Sequence, residues 1–410
     1  MISRGECESI MRIESLYYRP RQFCFSVFMA LMPQRKAKVI TGNGSIYKIP
    51  KLVKDAGYKK IMLMTTPGFI RRGSLETLFQ KFHEEGIWVS IYSHVMPDPT
   101  TDCVEDAETA YMQTGCEAIV AIGGGSVLDC AKALGARVAH PEKNLLQMNG
   151  LMKVQKHIPD IFAVPTTAGT GSEATAAAVI TNGRSHYKYT IMDTCLVPRY
   201  AILDPELLMD LPAEITAATG MDALTHAVEA YTNRFASPKT RKNAIQAVMQ
   251  IYESLIAACE NGQDVKVRKN MLMASYNAGV AINNNFVGYV HALSHGIGGL
   301  YGVPHGKANA VILPYVLEYY GKHAEKKLAD LAEAVGLEGG NRTEKAKAFI
   351  ESIRDLNRKI GIPETLDELN EKDFPELTRR ALKEANPLYP VPVIWGWKDV
   401  NKVLKRVKEG

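Results

Sequence analysis

Four of the ten histidines fall between positions 226 and 305, in the segments Gly220–His226 (GMDALTH) and His291–His305 (HALSHGIGGLYGVPH). Asp222 and His226 stand four residues apart, so on a helix they share a face and can grip one divalent ion. His291 and His295 repeat that spacing, and His305 follows a Gly-rich stretch and Pro304, well placed to fold back. A carboxylate with imidazoles suits Fe(II) or Zn(II), and donor softness does not separate the two. Spacing alone leaves open which three of these histidines are ligands. His83, His94, His140, His157, His186 and His323 show no such pattern and read as ordinary core or surface residues.

Two loops have the chemistry of a nucleotide site. In Ala121–Lys132 (AIGGGSVLDCAK) an apolar run feeds Gly123, Gly124 and Gly125 before a helix opens at Ser126. Glycines let a ligand approach the backbone, and the free N–H groups of a helix start favour an anion such as pyrophosphate. The run is neither G-x-G-x-x-G nor a Walker loop, and its glycines alone are equally explained by a tight turn. In Val164–Ala174 (VPTTAGTGSEA), Thr166, Thr167, Thr170 and Ser172 offer four hydroxyls beside the same sheet edge. Hydroxyls also cap helices, and Ser172 fits that simpler role.

The elements that must position these residues follow from periodicity. Ile61–Met64, Trp88–Tyr92, Ala118–Ile122 and Ile161–Val164 read as buried strands, with helical stretches at Leu75–Glu85 and Cys103–Thr114 between them. Alternation of that kind means βαβ units and a parallel sheet, which binds ligands at the carboxyl ends of its strands. After Asp204-Pro205 and Leu211-Pro212 the chain turns helical, with amphipathic stretches at Ala217–Tyr231, Lys239–Ala258, Val267–Ile282, Ala324–Val335 and Glu344–Ile360. The expected organisation is an N-terminal extension over 1–36, a dinucleotide-binding α/β domain over 37–210, and an all-helical metal-binding domain over 211–410.

Composition limits the alternatives. With 410 residues, 46% of them hydrophobic and 23% charged, the chain is a globular protein of more than one domain, not a disordered or fibrous one. Residues 1–40 hold seven Lys/Arg against three Glu, so most of the net charge of +5 sits there. The nearly neutral body implies no nucleic-acid partner. Seven scattered cysteines without a C-x-x-C pair suit free thiols in a reducing cytoplasm. The apolar run Phe23–Met32 is too short for a span of about 20 residues and is followed by Pro-Gln-Arg-Lys instead of a cleavage site. It reads as a segment packed on the body or on a partner subunit, and no membrane association is expected.

In order along the chain, GNGSIYKIP (42–50), PDPT (97–100), AIGGGSVLDCAKA (121–133), PTTAGTGSEAT (165–175), GMDALTHAVEAY (220–231) and HALSHGIGGLYGVPHGKANAVILPY (291–315) resemble the iron-containing, group III alcohol dehydrogenase family. The resemblance implies the dehydroquinate synthase-like fold, NAD(P)(H) with Fe(II) or alternatively Zn(II), and a cleft where nicotinamide meets metal. It implies hydride transfer between cofactor and a small alcohol or aldehyde whose oxygen the metal polarises, in a cytoplasmic homodimer or higher homo-oligomer. Carried over, the ligands are Asp222, His226, His291 and His305, with His295 beside them as a proton relay. Gly123, Gly124, Gly125, Ser126 and Asp129 fall at the pyrophosphate, Thr166, Thr167 and Thr170 on the nicotinamide side, and Asp98 and Lys188 near the cofactor.

One departure stands out. Where the family commonly reads Thr-Asp-Pro-Gly, this chain reads Thr65-Thr66-Pro67-Gly68. An Asp there would bond the ribose 2′-OH and repel a 2′-phosphate. Thr66 removes that repulsion, and Arg71 and Arg72 follow, so tolerance of or preference for NADP(H) is expected. Rivals are a dehydroquinate-synthase-like or glycerol-dehydrogenase-like enzyme of the same fold, a metal-dependent hydrolase, and a nucleotide-binding regulatory module. The first of these needs a phosphate-binding basic cluster, and only Lys307 lies near the ligand segment. Asn283–Phe286, Tyr289 and Tyr301 flank the histidines as pocket candidates, although aromatic residues at such positions are more often core.

Overall fold

β-branched and apolar runs form the strands of a parallel sheet, and an α-helix of the same unit follows four of its six strands. The computed structural model describes residues 17–28, 35–183, 187–283 and 285–410. Most of the N-terminal extension, the end of the Phe23–Met32 run, His186 and Asn284 lie outside these residues. The chain forms two compact units, Pro33–Leu211 with Gly262–Gly279, and Met1–Met32 with Pro212–Asn261 and Val280–Gly410.

The first unit contains strands β1 (Lys38–Thr41), β2 (Lys60–Met64), β3 (Trp88–Tyr92), β4 (Ala118–Gly123), β5 (Gly150–Leu151), β6 (Ile161–Pro165), β7 (Ala177–Thr181), β8 (Lys188–Met192) and β9 (Tyr200–Leu203). Six of them make a parallel sheet in the order β1-β9-β6-β4-β2-β3, and β5-β8-β7 make a small second sheet. Central β4 is buried along its whole length, which is why it reads as an unbroken apolar run. Met62, Met64, Ile119 and Ala121 enter one core, and Ile61, Leu63, Val120 and Ile122 the other.

With the helix over residues 17–28 taken as α1, this unit also holds α2 (Ile49–Asp55), α3 (Pro67–Arg71), α4 (Glu76–Glu84), α5 (Thr101–Thr114) and α6 (Gly125–Ala139). Thr100 starts α5 by accepting the Cys103 N–H, and Gly115, at φ 63°, ends it. Gly279, on a later helix, packs against Gly171 so closely that a Cβ on either would stand 2.6 Å from the other's backbone.

The second unit is built from α1, α7 (Ala213–Thr232), α8 (Pro238–Glu260), the end of α9 (Val265–Asn283), α10 (Tyr289–Tyr301), α11 (His305–Tyr320), α12 (Glu325–Ala334), α13 (Arg342–Lys359), α14 (Phe374–Ala385) and α15 (Trp397–Glu409). Ser237 caps α8 ahead of Pro238, and Asn341 caps α13. The described part of the apolar N-terminal run packs on this unit, where Phe23 meets the Phe235 ring edge-on at 5.7 Å. Among the described residues no helix is long and apolar enough to cross a membrane.

Candidate active site

Helix α7 presents Asp222 and His226 on successive turns, both buried. His291 lies in the first turn of α10, and His305 is the first residue of α11. Between those helices Gly302, at φ 69°, supplies the left-handed residue that turns the chain back. Gly306 then allows close approach, since a Cβ there would stand 2.2 Å from the Ala218 carbonyl oxygen of α7.

The result is convergence on the Asp222 carboxylate. His305 Nε2 lies 3.5 Å and His291 Nε2 3.7 Å from Oδ1, and His226 Nδ1 lies 4.0 Å from Oδ2. The His226 and His291 rings stack at 4.5 Å. Asp222, His226 and His291 each offer a ligand atom within 4.8 Å of the others. Fully buried Asn309 points its amide nitrogen at the same spot, 2.7 Å from Asp222 Oδ1, 3.2 Å from His291 Nε2 and 3.1 Å from His305 Nε2. One electropositive group therefore already draws three of the four donor residues together, as a cation would. One carboxylate and three imidazoles form a donor set that fits Fe(II) or Zn(II).

Neighbouring groups orient these donors. Glu229, three residues beyond His226, takes the His291 Nδ1–H at 2.6 Å and the N–H groups of Gly288 and Val290 at 2.8 Å. That bond turns Nε2 of His291 toward Asp222. Burial would lower the His291 pKa, but Glu229 and Asp222 outweigh it and push it up to about 9. Burial would raise the Asp222 acid, and His226 with the other two histidines holds it well below the carboxylate range instead. His295 stacks on His305 at 5.2 Å, and its Nδ1 lies 2.8 Å from Glu384 Oε1.

In the α/β unit the loops after β4 and β6 interlock. Thr166 N–H donates to the Gly123 carbonyl at 3.0 Å. A Cβ on Gly124 would touch Thr167 at 3.3 Å, and one on Gly125 would strike Thr170 at 2.5 Å. Asp98 N–H donates to Ser126 Oγ at 3.3 Å, and Lys188 Nζ pairs with Asp98 Oδ1 at 2.7 Å. Asp98, Ser126 and Lys188 thus meet although they are far apart in the chain. Asp129 turns inward, accepting from Ser172 Oγ at 2.6 Å and from the Val179 N–H at 2.9 Å. Thr66 precedes α3 in extended conformation. Arg72 Nη1 and Thr66 Oγ1 lie 3.3 and 3.9 Å from the point where a Cβ on Gly68 would stand, so the two side chains are neighbours.

Sequence reasoning did not single out Glu229, Asn309 or Glu384. For Glu229 the available signal is an acid in the apolar stretch HAVEAY, on the stripe of Asp222 and His226. For Asn309 it is the four-residue spacing from His305. Glu384 has no local signal.

Two ionisable groups lie buried behind the loops. Lys132 bonds Ser172 Oγ, Thr175 Oγ1 and the Ala177 carbonyl, and burial draws its pKa down to about 8. Glu173 is 1% exposed, its Oε1 has no hydrogen-bond partner, and burial pushes its acid up to about 7. The native state therefore holds a proton that the unfolded chain releases. Its stabilising contribution is complete below about pH 4.5 and is lost as pH rises through 7. Glu173→Gln is expected to remove this dependence and to stabilise the protein by about 3 kcal/mol at pH 8. Urea midpoints at pH 5 and pH 8 check this, and an unchanged pH dependence in the variant would exclude Glu173 as the source.

Comparison with known proteins adds lineage. Residues 36–205 match the family model "iron-containing alcohol dehydrogenase", and residues 216–407 match the C-terminal model of the Fe-containing alcohol dehydrogenase family. The 1,3-propanediol dehydrogenase of Citrobacter freundii is 41% identical over 351 residues, 84% of this chain and 90% of that protein. The NAD-dependent methanol dehydrogenase of Bacillus methanolicus is 36% identical over 349 residues, 84% and 91% of the two chains. A crystal structure of 1,3-propanediol oxidoreductase superposes with a TM-score of 0.88 at 37% identity, covering 92% of this chain and all of that one.

Proposed function

The chain belongs to the iron-containing alcohol dehydrogenase family, and from that premise we propose how its residues divide the work of an NAD(P)-dependent enzyme that interconverts small alcohols and aldehydes. The observation that carries the reading is the meeting of buried Asp222, His226 and His291 with half-buried His305. When bound, Fe(II), or Zn(II) in its place, supplies Lewis-acid polarisation of the substrate oxygen, while the nicotinamide supplies or accepts hydride.

The protein's own groups do the rest. Asp222 contributes the single negative charge among the four ligands. Glu229 and Ser294, whose Oγ lies 3.0 Å from His305 Nδ1, keep two imidazoles aimed inward. His295 carries the proton to or from the substrate oxygen. In the α/β unit, Gly123, Gly124, Gly125 and Ser126 offer backbone N–H groups to the pyrophosphate. Thr166, Thr167 and Thr170 line the nicotinamide side, and Asp98 and Lys188 act as a pair. Asp129 ties α6 to the second loop through Ser172. Residues 37–210 take the dinucleotide and 211–410 the metal, in a cytoplasmic homodimer whose cysteines remain thiols.

The test is absorbance at 340 nm with NAD(P)H, iron and aldehydes, beginning with those of 1,3-propanediol and methanol. Absence of consumption across the panel would sink the reading. Thr66 and Arg72 make NADP(H) the expected partner of choice. Thr66→Asp should shift the kcat/KM ratio toward NAD(H) by about 10- to 100-fold, because it restores a charge facing the 2′-phosphate. A wild-type enzyme that strongly prefers NADH would refute this part alone.

A further inference from the structure

Residues 17–28 lie ahead of both segments matched by the family models, yet α1 is tied closely to the metal-site unit. Arg19 donates through Nη1 to the Val391 carbonyl at 2.7 Å and through Nη2 to that of Pro392 at 3.2 Å. Gln22, 1% exposed, donates to the Asn386 carbonyl at 2.8 Å. All three acceptors lie in the segment after α14, the helix that carries Glu384, with Asn386 immediately at its end.

From α1 a row of rings leads inward. Phe25 meets Phe286 at 5.2 Å, and Phe286 stacks on Tyr389 at 6.1 Å. Tyr389 donates its hydroxyl to Glu384 Oε1 at 2.8 Å, the same oxygen that takes His295 Nδ1. Phe286 sits at φ 57°, a conformation a bulky residue keeps only where its surroundings impose it. Asn233 imposes it, directing its amide at the carbonyls of Asn285, Phe286 and Val287 at 2.9 to 3.1 Å.

We propose that Glu384 is the positioning residue for His295, and that α1, through Phe25, Phe286 and Tyr389, braces Glu384 in the orientation the proton relay needs. The inference rests on the reading of His295 as that relay. A carboxylate that accepts from Nδ1–H fixes the ring and its tautomer, so Nε2 is left to exchange the proton on the opposite side. Oε1 is held by donors from two directions, and removing either lets the carboxylate turn.

The experiment compares Glu384→Gln, Tyr389→Phe and Phe25→Ala, each alone and combined with His295→Ala, in the iron-loaded full chain. Iron content and aldehyde KM should stay within about twofold in each single variant, because none of these groups binds metal or substrate. The kcat should fall about 10- to 100-fold in Glu384→Gln, a share of what a general acid contributes, and less in the other two. On the His295→Ala background all three substitutions should be silent, since residues that act through one group are not additive. A slow His295→Ala with a full-speed Glu384→Gln, or additive effects, overturns the inference alone. A full-speed His295→Ala overturns the relay and the inference with it. Tyr389→Phe, which keeps the ring and loses only the hydroxyl, separates bracing from folding if Phe25→Ala proves unstable.

Discussion

His226→Ala is expected to lose metal and activity together. The imidazole stands within α7, stacked on His291 and facing Asp222 Oδ2. Loss of an orienting group behind a ligand already costs about 10- to 100-fold in metal affinity, and loss of the ligand should exceed that. Because the metal is asked for several kcal/mol of charge stabilisation, kcat should fall on the order of 10³-fold or more even with excess iron. Metal analysis of the purified variant beside the 340 nm assay checks both effects. An active, iron-free variant would refute the ligand assignment. Circular dichroism is the control, because the site lies inside a folded bundle and the apo variant should keep its helices.

A single methyl group at Gly306 should do comparable damage by a different route. Its Cβ would stand 2.2 Å from the Ala218 carbonyl oxygen and 2.6 Å from the carbonyl carbon. Both are backbone atoms of α7, so no side chain can swing away, and α11 itself must retreat. Overpacking against backbone belongs to the most destabilising class of substitution, about 3 kcal/mol or more, with a melting temperature lower by on the order of 10 °C. His305 is the adjacent residue and would leave Asp222 as the helix moves. A displacement of about 1 Å at a reacting centre can cost about 100-fold in rate. His305→Ala is the informative comparison, because it should lose iron while melting near the wild-type temperature. A Gly306→Ala protein with wild-type melting and full iron would show that α7 and α11 do not approach this closely.

What could be read beforehand depended on whether a residue's partners were near it in the chain. Strands β2, β4 and β6 are apolar runs buried almost throughout because both faces of the sheet are covered there, and such runs stand out against helical spacing, whereas β3 at the sheet edge leaves Trp88 and Ile91 exposed. Strand β8 (KYTIM) carries Lys188 at its start and alternates buried with half-buried positions, so it lacks that signature, as does the short KVIT of β1. The pairing of Asp222 with His226 follows from one turn of helix. Glu229 follows from the same helix only once a buried acid is asked what it bonds. The contact of Glu384 with His295 spans 89 residues and two helices, and no periodicity connects them. Asp129 shows the opposite case, since a carboxylate in a glycine-rich nucleotide loop invites a ligand-facing role while its oxygens are taken by Ser172 and Val179.

The segment Gly262–Gly279 belongs to the α/β unit although helical-unit sequence flanks it on both sides, and its last residue meets Gly171 with no room for a side chain on either. A gene cut at the junction near residue 211 would therefore produce two fragments, neither encoding all of its own unit. Chimaeras that exchange halves between relatives at that point would pair a Gly171 loop from one parent with a Gly279 helix from the other. The two glycines form a compatibility constraint on recombination, and it acts some seventy residues beyond the boundary that the strand-to-helix change in the sequence suggests.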